Sequence, residues 1–395
     1  MSWRKILIQE RNCLLKWIEA KTPLGHLEKI TQCLQSFLIE RIKDAQSARL
    51  FWEAIPLVRF ACNVNQVYEQ PYAVEAYAYV HLLDRYWRTW QVLLELTRKA
   101  ALPLGKEGVR ILDVGTGPAP TPYAIQDYYS LLREYGRDKR LPELEHQEVS
   151  FNIVESSPSM ARFMHLFSEY CRRPGPFGAN IIDFKHVNPR KARQGLLWNL
   201  RNKEFYDPES GEYYLEYFPE EANFIAQRYQ RYRMMIFSNF FTTEGTVEEF
   251  RESLGTLLSD ARPGTVVLII GAQGRHYSEI YRQLTTISER NRFRQIFEIP
   301  EILRPGPRTK EVQSLIKNFQ FEVFSHLEKV SGKSLPRELR SVNYRYAKFA
   351  TQWEIQIPES IKWPDYWSPQ PNPKKKLTFA IRVYRKGKWK SLEEA

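Results

Sequence analysis

The chain has 395 residues, of which 43% are hydrophobic, and its 58 Lys and Arg against 46 Asp and Glu give a formal charge of +12. That length holds one large domain with an appendage, or two domains, and its apolar content suffices for a core. The apolar runs, such as Val266 to Ile270, are too short to span a bilayer, so no membrane role is expected.

The N-terminus (Met1-Ser2-Trp3-Arg4-Lys5) leads into a charged amphipathic helix, unlike a secretory signal. Cys13, Cys33, Cys62 and Cys171 are scattered with no CxxC pair, so no metal centre is indicated and a reducing cytoplasm is the simple location. The basic balance favours polyanions such as RNA or DNA, since each neutralised phosphate releases counterions. Solubility alone is the other reading.

Residues 1–100 read as a helical N-terminal domain. Leu14 to Ala20, Leu27 to Ala48 and Ala76 to Lys99 place apolar residues at helical spacing. Rings are dense from Glu75 to Trp87. They are expected in the core, with the alternative that Tyr77 or Tyr79 lines the mouth of a pocket. This helical part also offers a surface for a protein partner or for a homodimer.

Residues 101–390 alternate strands and helices, which predicts a parallel sheet covered on both faces. The first strand begins at Val109 and runs into Asp113-Val114-Gly115-Thr116-Gly117-Pro118. Gly115 permits a tight turn, and Gly117 lets a ligand approach bare backbone. Tyr123 to Tyr135 reads as the following helix. A dinucleotide fingerprint needs Gly or Ala at position 120 and an acid about 20 residues on. Pro120 stands there instead, and helix-like sequence replaces the acid. Asp113 would repel a pyrophosphate but suits a cationic ligand without phosphate. S-adenosylmethionine, with its sulfonium, ammonium and ribose, fits. The second strand, Val149 to Glu155, again ends in an acid, before Ser156-Ser157-Pro158-Ser159-Met160.

Asp113-x-Gly115-x-Gly117 resembles the first motif of class I S-adenosylmethionine-dependent methyltransferases. The resemblance implies a Rossmann-like α/β sheet, mostly parallel with an antiparallel last strand, and a ribose-binding role for Glu155. The third strand is expected at Asn180 to Val187, where the family implies a contact to the adenine amino group from Asp183 or Asn188. A fourth strand at Arg233 to Phe237 ends in Ser238-Asn239-Phe240-Phe241-Thr242, where the reacting methyl should lie. Gly264 to Ile270 is the fifth strand and Leu377 to Arg385 the last. The sixth is either Phe319 to Phe324 or Gln352 to Ile357.

Ligands of such sheets bind at the carboxyl ends of the strands. The cofactor contacts are therefore expected from Asp113, Gly115, Thr116, Gly117, Glu155, Ser156, Asp183, Asn188 and Ser238. Asn239, Phe241 and His276 are the catalytic candidates, His276 as a base for an oxygen acceptor. Relatives that methylate exocyclic amines of adenine often carry Asn/Asp-Pro-Pro-Tyr/Phe after the fourth strand. This chain has Asn239 and Phe241 without the prolines, which disfavours N6-adenine and N4-cytosine chemistry. The lack of a cysteine near strands four and five disfavours carbon-5 pyrimidine methylation. Ser331-Gly332-Lys333-Ser334 resembles the end of a phosphate loop, but Leu327 replaces its required glycine.

Two insertions are expected to set the substrate. Residues 190–232 contain a hairpin around Phe205 to Tyr214 whose rings could stack bases or pack on the domain. Residues 305–376 end in Trp363, Trp367, Pro369, Pro371 and Pro373, then Lys374-Lys375-Lys376. With Arg382, Arg385, Lys386, Lys388 and Lys390 these make the C-terminus the most basic part of the chain. The order of parts over residues 72–165 also resembles ribosomal RNA methyltransferases of the mitochondrial small-subunit type, without the C-terminal cysteine cluster frequent there. The expected function is methyl transfer to nucleic acid, RNA ahead of DNA. Methyl transfer to a small molecule or peptide, and an inactive cofactor-binding scaffold with a protein partner, are the alternatives.

Overall fold

The computed structural model describes residues 3–21, 24–60, 65–105, 108–155, 157–171, 177–181, 202–206, 213–217, 232–272, 275–299, 309–332 and 379–387. Every described element before the first strand is helical: α1 (Trp3–Lys21), α2 (Leu24–Arg41), α3 (Ala45–Phe60), a 3-10 turn (Asn65–Glu69), α4 (Ala73–Tyr77), a π turn (Ala78–Leu82) and α5 (Leu83–Arg98). In α2 the apolar spacing places Leu27, Ile30, Leu34, Phe37 and Leu38 on one buried stripe.

The remaining chain builds a seven-stranded sheet. Its strands are β1 (Val109–Val114), β2 (Val149–Val154), β3 (Phe177–Ile181), β6 (Met234–Ser238), β7 (Val266–Ala272), β8 (Phe293–Ile299) and β9 (Phe379–Lys386), with β4 (Asn202–Tyr206) and β5 (Tyr213–Tyr217) forming a separate antiparallel pair. The sheet order is β3-β2-β1-β6-β7-β9-β8. Only β9 runs against its neighbours, β7 and β8. The mostly parallel α/β sheet with an antiparallel last strand is thus borne out, and so is the hairpin, in which Phe205 lies opposite Tyr214.

One expectation is overturned. Phe319 to Phe324 is not a strand but part of the helix Thr309–Ser331, where Phe319, Val323 and Leu327 recur every fourth residue and are all buried. The sixth strand is Phe293–Ile299, and Gln352 to Ile357 lies outside the described residues.

Period-two alternation divides the core between the two faces of the sheet. Val109, Ile111, Ile153, Met234, Ile236, Leu268 and Val383 meet the N-terminal helices, α6 (Pro120–Asp138), the short α7 (Pro142–Glu145), α8 (Pro158–Tyr170) and the helix Thr309–Ser331 in one continuous cluster. Leu112, Val114, Met235, Phe237, Val267 and Ile269 point the other way, toward the helices Glu244–Glu249, Arg251–Asp260 and Arg275–Arg290. Residues 1–100 therefore share their core with one face of the sheet.

Candidate functional site

Asp113 pairs with Ile153 across β1 and β2, and with Ile236 across β1 and β6. By strand alternation Asp113, Glu155 and Ser238 sit on the face that the N-terminal helices cover, near the carboxyl edge of three adjacent strands. Beyond β1 the chain turns through Gly115 (φ +69°) and Gly117 (φ +58°), both in the left-handed region that glycine tolerates. Val154 C=O accepts from the amide of Gly115 at 2.8 Å and from that of Thr116 at 3.4 Å, which fixes the turn against β2.

Asp113 is completely buried. Its Oδ2 accepts a hydrogen bond from Thr116 Oγ1. Its Oδ1 has no hydrogen-bond partner among the described residues. Burial raises the pKa of this carboxyl to about 7; the Thr116 hydroxyl opposes that rise and the Glu155 charge adds to it. Glu155 joins two turns. Its Oε2 accepts from the Gly117 amide at 2.7 Å and its Oε1 from the Ser157 amide at 3.0 Å. Ser157 in turn caps α8, accepting from the Met160 amide at 3.2 Å.

The N-terminus of α6 faces this turn with little to offer a phosphate. Its N-cap is Ala119, with no side-chain cap, and Pro120 and Pro122 have no amide hydrogen. Tyr123 N–H already donates to Ala119 C=O. Of the first four positions only the Thr121 amide is left, a poor cradle for a pyrophosphate.

Two rings border the glycine turn. A Cβ on Gly115 would stand 2.6 Å from Phe240 Cδ2, and one on Gly117 would stand 3.6 Å from Tyr77 Cε1. Arg85 holds Tyr77 in place, donating to its hydroxyl with the guanidinium 4.9 Å from the ring centre. Tyr79 instead belongs to the core. Its hydroxyl donates to Gln320 C=O at 3.0 Å and its ring meets Phe51 and Phe319. Of the two tyrosines considered from sequence, Tyr77 borders the turn and Tyr79 does not.

The structure brings Asp113, Gly115, Thr116, Gly117 and Glu155 together, with Ser238 and Asn239 at the end of the adjoining β6. Asn239 takes φ +54°, its amide donates to Ile270 C=O at 2.7 Å, and its Nδ2 donates to Ser238 Oγ at 3.3 Å. Phe241 is buried against Phe237 and Phe240, so Phe240 is the ring that reaches the turn. Sequence reasoning did not single out Phe240 or Ser157. The serine could have been found as an N-cap preceding a proline. Ser156, Asp183 and Asn188 lie outside the described residues, as does the side chain of His276, whose backbone belongs to the first turn of the helix Arg275–Arg290. Among the described residues no group of three His, Cys, Asp or Glu could hold a metal, and no helix is long and apolar enough to cross a membrane.

No family model matches the sequence, and no curated protein matches it. Solved structures similar to this chain include the [4+2]-cyclase SpnF, at TM-score 0.35 and 11% identity over 75% of this chain and 80% of that one. Phosphoethanolamine N-methyltransferase 2 of Haemonchus contortus, in complex with phosphomonomethylethanolamine and S-adenosylhomocysteine, gives TM-score 0.34 and 12% identity over 79% and 58%. The mitomycin 7-O-methyltransferase MmcR gives 0.32 and 10% over 63% and 56%.

Proposed function

We propose that this chain is an S-adenosylmethionine-dependent methyltransferase acting on nucleic acid, RNA ahead of DNA. The observation that carries the cofactor assignment is the Asp113 carboxylate, buried at the carboxyl edge of β1 beside bare backbone. Leaving its Oδ1 without a partner costs on the order of 1–3 kcal/mol, more when the group is charged. A cationic ligand in the turn removes that cost, and a phosphate would raise it.

Asp113, Gly115, Thr116 and Gly117 would hold the donor along the turn, while the Glu155 carboxylate, at the end of the neighbouring strand, would accept hydrogen bonds from the ribose hydroxyls. Ser238 and Asn239 would orient the acceptor, and Phe240 would exclude water from one side. When bound, the donor supplies an electrophilic methyl group on a positively charged sulfur. Alignment of donor and acceptor by these residues can contribute roughly 7–11 kcal/mol to lowering the barrier. His276 would accept the proton of an oxygen acceptor.

The preference for nucleic acid rests on the formal charge of +12 and on the basic C-terminus, including Lys374, Lys375 and Lys376 outside the described residues. A second reading has support of its own. Tyr77, clamped by Arg85 next to Gly117, narrows the approach to the turn and suits a small acceptor. Scattered cysteines with no CxxC pair suit a reducing cytoplasm.

Incubating the full chain with methyl-labelled cofactor and separated RNA, DNA, protein and metabolite fractions tests the reading. Label in RNA supports it and label in metabolites favours the small acceptor. No label in any fraction, despite saturable cofactor binding, favours a scaffold that works through a protein partner.

A further inference from the structure

A cleft opens at the edge of the sheet opposite the glycine turn, where the strands begin. Its volume is about 410 Å³, and Arg110, Arg233, Arg262, Glu148, Ser150 and Tyr232 line it. The three arginines come from three separate pieces of chain: the second residue of β1, the residue before β6, and the turn before β7. Backbone pairing gathers them. The Arg233 amide donates to Arg110 C=O at 2.8 Å, and the Val266 amide donates to Arg233 C=O at 3.0 Å.

Among the described residues the lining holds three arginines and one acidic residue, Glu148, an excess of two formal positive charges. Arg233 and Arg262 are exposed and form no ion pair among the described residues. Arg110 is half-buried, and its charge is felt at the buried Tyr232 hydroxyl. Gathering like charges in a concave, partly desolvated site raises the local potential and favours an anion. Planar guanidinium forks match the oxygens of a phosphoryl group in pairs, and 410 Å³ falls within the usual range for small-ligand pockets.

We infer that this amino-edge cleft binds a phosphoryl group, either free or at the end of a nucleic-acid strand. The site is separate from the glycine turn, since the six residues of β1 put roughly 16 Å or more between the two edges. It does not depend on the proposed methyl transfer.

The test uses the full chain and inorganic pyrophosphate, which has no adenosine to enter the other edge. Calorimetry should show saturable binding that weakens at least tenfold in the double variant Arg233→Gln/Arg262→Gln and weakens with added salt. Both substitutions are on exposed side chains, and an unchanged melting temperature and S-adenosylhomocysteine affinity would show the variant intact. Glu148→Gln should tighten pyrophosphate binding. An RNA hexamer with a 5′-phosphate, compared with the same hexamer lacking it, separates the sources: preference for the phosphorylated end assigns a strand terminus, and equal weakness of both beside firm pyrophosphate binding assigns a free anion. Absence of saturable pyrophosphate binding, or binding that survives the double variant or loosens in Glu148→Gln, overturns the inference.

Discussion

Glu155 ties the turn after β1 to the start of α8, because one carboxylate accepts the Gly117 amide at 2.7 Å and the Ser157 amide at 3.0 Å. Charge-assisted bonds of this kind are worth about 1.5–3 kcal/mol each when well formed. Both turns are therefore held by a single side chain, placed one residue past the end of β2.

Replacing Glu155 with Ala should release the Gly117 amide and loosen the turn. Hydrogen exchange at Gly117 and Ser157 should accelerate, and S-adenosylhomocysteine affinity should fall by about tenfold or more, as lost charge-assisted bonds imply. Unchanged exchange at Gly117 would show that the turn does not depend on this carboxylate.

Asp113 should make both stability and ligand binding depend on pH. Its folded pKa of about 7 lies above that of an unfolded aspartate, so the folded chain binds this proton more tightly. Its contribution to stability is fully present below about pH 4 and is lost as pH rises toward 7, a few kcal/mol in all. Asp113→Asn should remove that slope in denaturant titrations from pH 4 to 8. A cationic ligand needs the carboxylate ionised, so donor affinity in the wild type should rise several-fold between pH 6 and 7.5. The asparagine variant should bind weakly and without that trend.

Gly115→Val meets two obstacles, a φ of +69° and the Phe240 ring 2.6 Å from the new Cβ. The backbone term alone is about 1–2 kcal/mol. Thermal melting should show a loss of at least that size, together with loss of cofactor affinity. Adding Phe240→Ala should recover part of the stability and none of the conformational cost.

Lys386 anchors the last strand. Its buried Nζ donates to Leu258 C=O and to Asn291 C=O, each at 2.7 Å, and lies 5.1 Å from the Phe293 ring centre. Burial pulls its pKa down, with the Arg292 charge acting in the same direction and Asp260 opposing. Lys386→Met leaves carbonyls without their donor at the C-terminal ends of two helices, and should destabilise the chain by about 2–4 kcal/mol in denaturant titration.

Much of the sheet was legible because its strands are short apolar runs bounded by turns, as with Met234 to Ser238 and Val266 to Ala272. The glycine turn was legible because Asp113, Gly115 and Gly117 are adjacent in sequence. The strand Phe293–Ile299 was not. The ladder shifts register between Gln295 and Phe297, and Ile296 falls at the shift with its side chain 37% exposed, so the alternation changes phase midway. Phe319-Gln320-Phe321-Glu322-Val323 misled in the opposite sense. It alternates like a strand, yet Phe321 is exposed while Phe319 and Val323 are buried on a helix. The approach of Phe240 to Gly115 depends on β6 lying beside β1, which no local pattern encodes.

Because β9 lies between β7 and β8, those two strands never bond to each other, and the edges they turn toward β9 stay unpaired until residues 379–386 arrive. A ribosome adding residues in order completes everything else in the sheet first, holding the edges of β7 and β8 open meanwhile. A premature stop codon that removes the final seventeen or more residues would strand those edges for good, and the truncated product would be prone to aggregate whatever the state of the glycine turn beside Asp113.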